Sequence, residues 1–148
     1  MSNLAEVFLS LDDEQRQFVH FELCRHALRA WENYAAQFEK IDYVEWVVGT
    51  HQTVDKLLPR EAFEAAGTGR DSGNIDWRYA EPIAALQDAD LEFPDHIEFA
   101  YYAIYNLFKK YVKGEKIDEW LICNQALSAE TDGEKLQDLL NDAILKSL

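Results

Sequence analysis

Four histidines and two cysteines are the residues of this chain best suited to metal or nucleophilic chemistry, so their spacing is read first. A carboxylate-bridged di-metal centre in a helical bundle needs Glu-x-x-His twice, because a three-residue step stacks both ligands on one helix face. Here Glu22 and His26 lie four apart, as do Glu92 and His96. His20 and Cys24 share a helix face, yet no second ligand pair stands at zinc spacing. Neither a metal nor a cofactor is expected. His51 falls among Val47, Val48 and Val54, a setting that suits a hydrogen-bonded core histidine. As a general base it would need a nucleophile or a carboxylate partner beside it. The chain has no Gly-x-Ser-x-Gly elbow. The glycine-rich segment Gly67 to Asn74 has no Gly-Lys-Ser/Thr after it and no strand before it, so it does not read as a phosphate cradle. Enzymatic function would rest on His20, His51 or His96 and is the least favoured class.

The carboxylates carry more information. The chain holds 28 acids against 14 bases, a formal charge of −14. A field of that sign repels phosphates, so neither nucleic acid nor an anionic membrane is an expected partner. It attracts basic proteins and speeds their capture. The charge is also uneven. Residues 76–98 hold seven acids against one base, and residues 115–142 hold eight against two. Between these blocks, residues 99–114 carry only Lys109, Lys110 and Lys113. The densest run is Asp88 to Asp95, where Asp88, Asp90, Glu92 and Asp95 alternate with Ala89, Leu91 and Phe93. Part of this has a structural reading, since acids near a helix start complement its dipole. Alternation at a helix junction also sets carboxylates beside apolar groups on an exposed corner. The expected partner-binding residues are therefore Asp88, Asp90, Glu92, Asp95 and Glu98, with Trp77 or Tyr79 as aromatic anchors. Asp118, Glu119, Glu134 and Asp138 in the second block come next.

Elements must position these side chains. The 148 residues suit one domain, 48% of them are apolar, and only three prolines and six glycines interrupt the chain. Four pairs have the spacing of a helix-capping box: Ser10 with Asp13, Asp42 with Glu45, Asp95 with Glu98, and Thr131 with Glu134. The periodicity predicts a long helix from Leu11 to Phe38 with two apolar faces, hence neighbours on both sides. A short helix over Asn3 to Leu9 precedes it. A second main helix is expected over Tyr43 to Leu58, striped by Val44, Val47, Val48, Val54 and Leu58 and stopped by Pro59. Arg60 to Ala66 follows as a short helix, then the loop Gly67 to Asn74. Ile75 to Leu91 comes next, with Pro82 either kinking it or marking its true start. His96 to Val112, Ile117 to Ser128 and Asp132 to Lys146 complete an all-α, single-domain bundle of about six helices over residues 1–148. No strand pattern is visible. Cys24 and Cys123 sit among large apolar residues and read as buried, reduced thiols. No secretory pattern and no membrane-length apolar run appears. A cytoplasmic location is expected.

The stretch Phe93 to Asn106, with Phe99, Tyr101, Tyr102 and Tyr105, and the later Trp120 to Leu127 resemble the immunity proteins of bacterial polymorphic toxin and contact-dependent inhibition systems. The resemblance is one of type and assigns no site residue. It implies a small, acidic, helical, cytoplasmic protein that is not an enzyme. Such a protein binds and neutralises one cognate toxin domain, a basic nuclease above all, by covering its active surface. The alternative is a helical adaptor or regulator of a basic protein, a nucleic-acid mimic among them.

Overall fold

The computed structural model describes residues 3–148. Seven helices and one small hairpin follow in order: α1 (Leu4–Leu9), α2 (Asp13–Ala35), β1 (Asp42–Val44), β2 (His51–Thr53), α3 (Leu58–Thr68), α4 (Ile75–Gln87), α5 (Asp95–Tyr111), α6 (Glu119–Leu127) and α7 (Gly133–Ser147). The fold is an all-α bundle with a hairpin appended.

Helix α2 is the axis. Its start lies at Asp12, whose carboxylate accepts the Gln15 N–H at 2.8 Å while the Gln15 amide oxygen accepts the Asp12 N–H at 3.0 Å. The reciprocal box is thus two residues later than the expected Ser10–Asp13 pair, and Ser10 instead ends α1. The two expected apolar faces serve four neighbours, α3, α5, α6 and α7. Val19, Leu23, Cys24 and Ala27 join α1, α6 and α7 in one core cluster. Leu28, Trp31 and Ala35 join the hairpin, α3, α4 and α5 in another. Trp31 is fully buried there, with ring centroids of Tyr101 at 5.0 Å and Phe93 at 5.2 Å. Its indole N–H donates to the Lys56 carbonyl at 2.9 Å, so the largest core ring also ties down the chain leaving the hairpin. Both cysteines are buried and unbridged, as expected.

The expected helix from Tyr43 to Leu58 is absent. Those residues form an antiparallel hairpin pairing Asp42 with Thr53, Tyr43 with Gln52 and Val44 with His51. The physical reason is twofold. Val44, Val47, Val48, Thr50, Thr53 and Val54 are β-branched and favour a pleated surface. Gly49 adopts a φ of 68°, a conformation that breaks a helix and suits a tight return. Asp42 caps no helix; its carboxylate accepts the Thr53 hydroxyl across the strands at 2.6 Å. The supposed stripe splits. Val54 and Leu58 are buried, whereas Val44, Val47 and Val48 are exposed. His51 is exposed on β2 and is no core histidine.

The other boundaries shift for local reasons. Pro59 opens α3 rather than ending a helix, because a first-turn proline gives up no intrahelical bond. Helix α3 runs one residue past Gly67, to Thr68, and closes on Gly69, φ 74°. Helix α4 begins at Ile75 and carries Pro82 in its interior. Its first amides are held by Asp71, whose carboxylate accepts from Ile75 N at 2.7 Å. It ends at Gln87, short of the expected Leu91, and Ala89 turns the chain at φ 61°. Pro94 precedes α5, so Asp95 is not a side-chain cap. Asp118 and Asp132 cap α6 and α7, so the expected Thr131–Glu134 pair is also displaced. Among the described residues no helix is long and apolar enough to cross a membrane.

Candidate partner-binding surface

The hairpin meets α4 around Tyr43, a buried residue that lines depressions together with Glu81, Ala84 and Ala85 of that helix. This contact brings together acids far apart in sequence. Glu45 from the hairpin, Glu81 from α4, and Asp88 and Asp90 from the turn after α4 surround one small depression of about 50 Å³ with Tyr43, Ala84 and Ala85. Asp90 also accepts the Trp46 backbone N–H at 3.4 Å, which fastens the hairpin to the junction. The concentration of charge is felt by Tyr43. Burial chiefly, and then the fields of Glu81, Glu45 and Asp90, push its phenol up to about 12.

Beside this depression lies a second cavity of about 210 Å³, lined by Tyr43, Gln52, Thr53, Trp77, Arg78 and Glu81 among others. Its one cation is already neutralised. Arg78 donates to Asp55 and to Glu61, each at 2.6 Å, and to the Gly73 carbonyl at 3.1 Å. Trp77 stands 78% exposed at its edge. A third depression, about 500 Å³, is lined by Gln87, Asp95, Glu98, Phe99, Tyr102 and Gln125. Glu98 is pushed up there, first by burial and then by Asp95.

The residues read from the sequence therefore separate. Asp88 and Asp90 converge with Glu45 and Glu81, two acids the sequence reading did not include. Asp95 and Glu98 share the third depression, on the first turn of α5. Glu92 is exposed between the buried Leu91 and Phe93, so the alternation at this corner does separate charged from apolar side chains. Trp77 is exposed as an anchor would be. Tyr79 is not: it is fully buried, stacked on Tyr105 at 4.6 Å, with its hydroxyl donating to the Tyr101 carbonyl at 3.3 Å. Its position was legible, because Ile75, Tyr79, Ile83 and Leu86 form the inward stripe of α4.

Ion pairing distinguishes the acids further. Asp13, Glu22, Glu32, Asp55, Glu61, Glu64, Asp76, Glu119 and Glu130 each have a basic partner. Among the described residues, Glu45, Glu81, Asp88, Asp90, Glu92, Asp95 and Glu98 have none, and neither do acids outside this set such as Glu14, Glu134, Asp138 and Asp142. The second acidic block is partly committed to the fold: Asp118 caps α6, and Glu119 contacts Lys110 at 2.9 Å and lies 3.5 Å from His20.

The histidines are dispersed. His20 is fully buried, its Nε2–H donating to the Glu119 carbonyl at 2.8 Å and its Nδ1 accepting from the Tyr111 hydroxyl at 2.7 Å. Burial is the largest influence and holds it below the usual histidine range, against the opposing pull of Glu119. His26 lies 3.7 Å from Glu130, His51 is exposed, and His96 is half-buried on α5. No three potential ligands among the described residues cluster as a metal site. Comparison of the chain with protein-family models, with curated proteins and with solved structures finds no match.

Proposed function

We propose that this protein is a stoichiometric inhibitor of a basic protein, an immunity protein of the toxin-neutralising type. It binds through the acidic surface built by the hairpin, α4 and the α4–α5 turn. The observation that carries the reading is the convergence of Glu45, Glu81, Asp88 and Asp90 around a single depression, none of the four with a basic partner among the described residues. Unpaired like charges held together repel one another, and a cationic partner removes that repulsion. A nuclease groove must be basic to hold phosphates, so a carboxylate-lined surface both competes with the substrate's charge and covers the groove.

The test is coexpression with the protein encoded beside this gene in its native genome. A 1:1 complex that survives purification, together with restored growth of cells making that protein, is the expected result. No complex and no protection overturns the reading. A helical adaptor or nucleic-acid mimic gives a different pattern: it binds several unrelated DNA-binding proteins and releases them steeply as salt rises.

A further inference from the structure

Three successive apolar side chains, Trp46, Val47 and Val48, form the hairpin tip and stand 84, 95 and 68% exposed. Apolar residues scattered singly on a surface are ordinary, but a contiguous run on a projecting turn is not. The turn does not need these side chains. It closes through backbone bonds alone, Gly49 N–H to Glu45 O at 2.6 Å and Glu45 N–H to Thr50 O at 3.0 Å. Its base is fixed by buried Tyr43 and Val54 and by the Asp42–Thr53 bond. The tip is thus held by the turn bonds and by the Asp90 bond to the Trp46 N–H, which lowers the ordering entropy its engagement must overcome. Glu45 directly precedes the tip and Asp90 accepts the Trp46 N–H, so Glu45, Glu81, Asp88 and Asp90 flank the tip.

We propose that the hairpin tip is an apolar plug, which enters an apolar cleft bordered by basic residues on the partner protein while the carboxylates flanking the tip engage that border. This rests on the inhibitor reading above. Charge complementarity selects the occupant. A second copy of the chain, at a formal charge of −14, would bring one acidic stem against another.

The decisive variant is Val47→Asp, because charge and apolar insertion make opposite demands on it. Calorimetry against the protein encoded by the neighbouring gene is the readout. Insertion requires that Val47→Asp and Trp46→Ala each weaken the complex by roughly 30-fold or more, the scale of an interface hot spot, while Val47→Ile retains it. Binding by charge alone requires that Val47→Asp bind as tightly as the wild type or more so; that result overturns the plug and leaves the inhibitor reading standing. A wild-type protein that fails to bind removes both. Sedimentation of the isolated wild-type chain should give a monomer; a dimer that Val47→Asp dissociates assigns the tip to a second copy and overturns the proposal. Both side chains lie outside the core, so the thermal midpoints of the variants should match the wild type, and Val47→Ser provides an uncharged check if Val47→Asp does not.

Discussion

The buried aromatic group around Trp31 sets the residue-scale energetics. Trp31, Tyr34, Phe93, Tyr79 and Tyr101 contact one another in a continuous array, with ring centroids between 4.8 and 6.2 Å. Trp31→Ala should destabilise the protein by about 3–5 kcal/mol, the usual loss for a large core aromatic, as read by chemical denaturation. Tyr101 behaves differently. Its ring is buried in this array, yet its hydroxyl has no hydrogen-bond partner among the described residues. An unpaired buried hydroxyl costs about 1–3 kcal/mol, so Tyr101→Phe should leave stability unchanged or raise it. A loss of more than about 1 kcal/mol would point to a partner for that hydroxyl. His20 supplies the pH dependence. Its folded pKa is lowered, chiefly by burial, so the unfolded chain binds the proton more readily. Its contribution to stability is present above about 6.5, the unfolded value, and is lost as pH falls from there through the folded pKa. His26 is shifted the same way. Stability should therefore decline on acidification below about pH 6.5, and His20→Gln should flatten that slope relative to wild type. An unchanged slope would show that His20 does not govern it.

At the scale of elements, the helices were far more legible in the sequence than the hairpin. The two apolar faces of α2 could be read because Phe21, Leu28, Trp31 and Ala35 keep helical spacing over many turns, but Phe18 and Phe38, expected on the same stripe, are exposed, and the helix ends at Ala35 before Phe38. The hairpin was missed because Val44, Val47, Val48, Val54 and Leu58 happen to match a helical stripe. Their β-branched character and Gly49 were the competing signal. The same substitution of strand for helix hid half the candidate surface. Asp88, Asp90 and Glu92 could be placed on an exposed corner from their alternation with Leu91 and Phe93, but Glu45 and Glu81 meet Asp88 and Asp90 only where the hairpin approaches α4. No local pattern encodes that contact. Likewise, Asp95 was read as a cap because a carboxylate lies three residues on, whereas Pro94 takes the capping position. The hairpin depends on Gly49 at φ 68° with open space around it, so conformation and not crowding restricts that position. Gly49→Ala should loosen the hairpin by about 1 kcal/mol, the ordinary penalty for a side chain in left-handed backbone. Hydrogen exchange at Val54 N–H, which donates to Ile41 O at 2.8 Å, should report that loosening while the core amides of α5 keep their protection.

For the whole molecule, charge is strongly one-sided, with 28 acids against 14 bases. Basic residues are drawn to acids that hold elements together, as Arg78 is to Asp55 and Glu61, Arg60 to Glu32, and Lys110 to Glu119. The hairpin–α4 side is left with carboxylates and exposed tryptophans, Trp46 and Trp77. Such a surface captures a basic partner by long-range attraction, which at physiological salt is screened over about 8 Å. The association rate should consequently fall as salt rises, with a much smaller change in the dissociation rate, when followed by stopped-flow fluorescence.

The most direct measurement is charge reversal at Glu81, Asp88 and Glu92, three exposed carboxylates that make no side-chain hydrogen bond or ion pair among the described residues. Calorimetry of the triple lysine variant with the neighbouring gene's product, at physiological salt and with the thermal midpoint checked in parallel, reads the claim. A loss of at least about 100-fold in affinity is expected, while reversal of Glu134 and Asp138 on α7 should change it by less than about 3-fold. Unchanged affinity in the triple variant with its fold intact, or a loss confined to the α7 variant, would contradict the assignment of this surface as the site of binding.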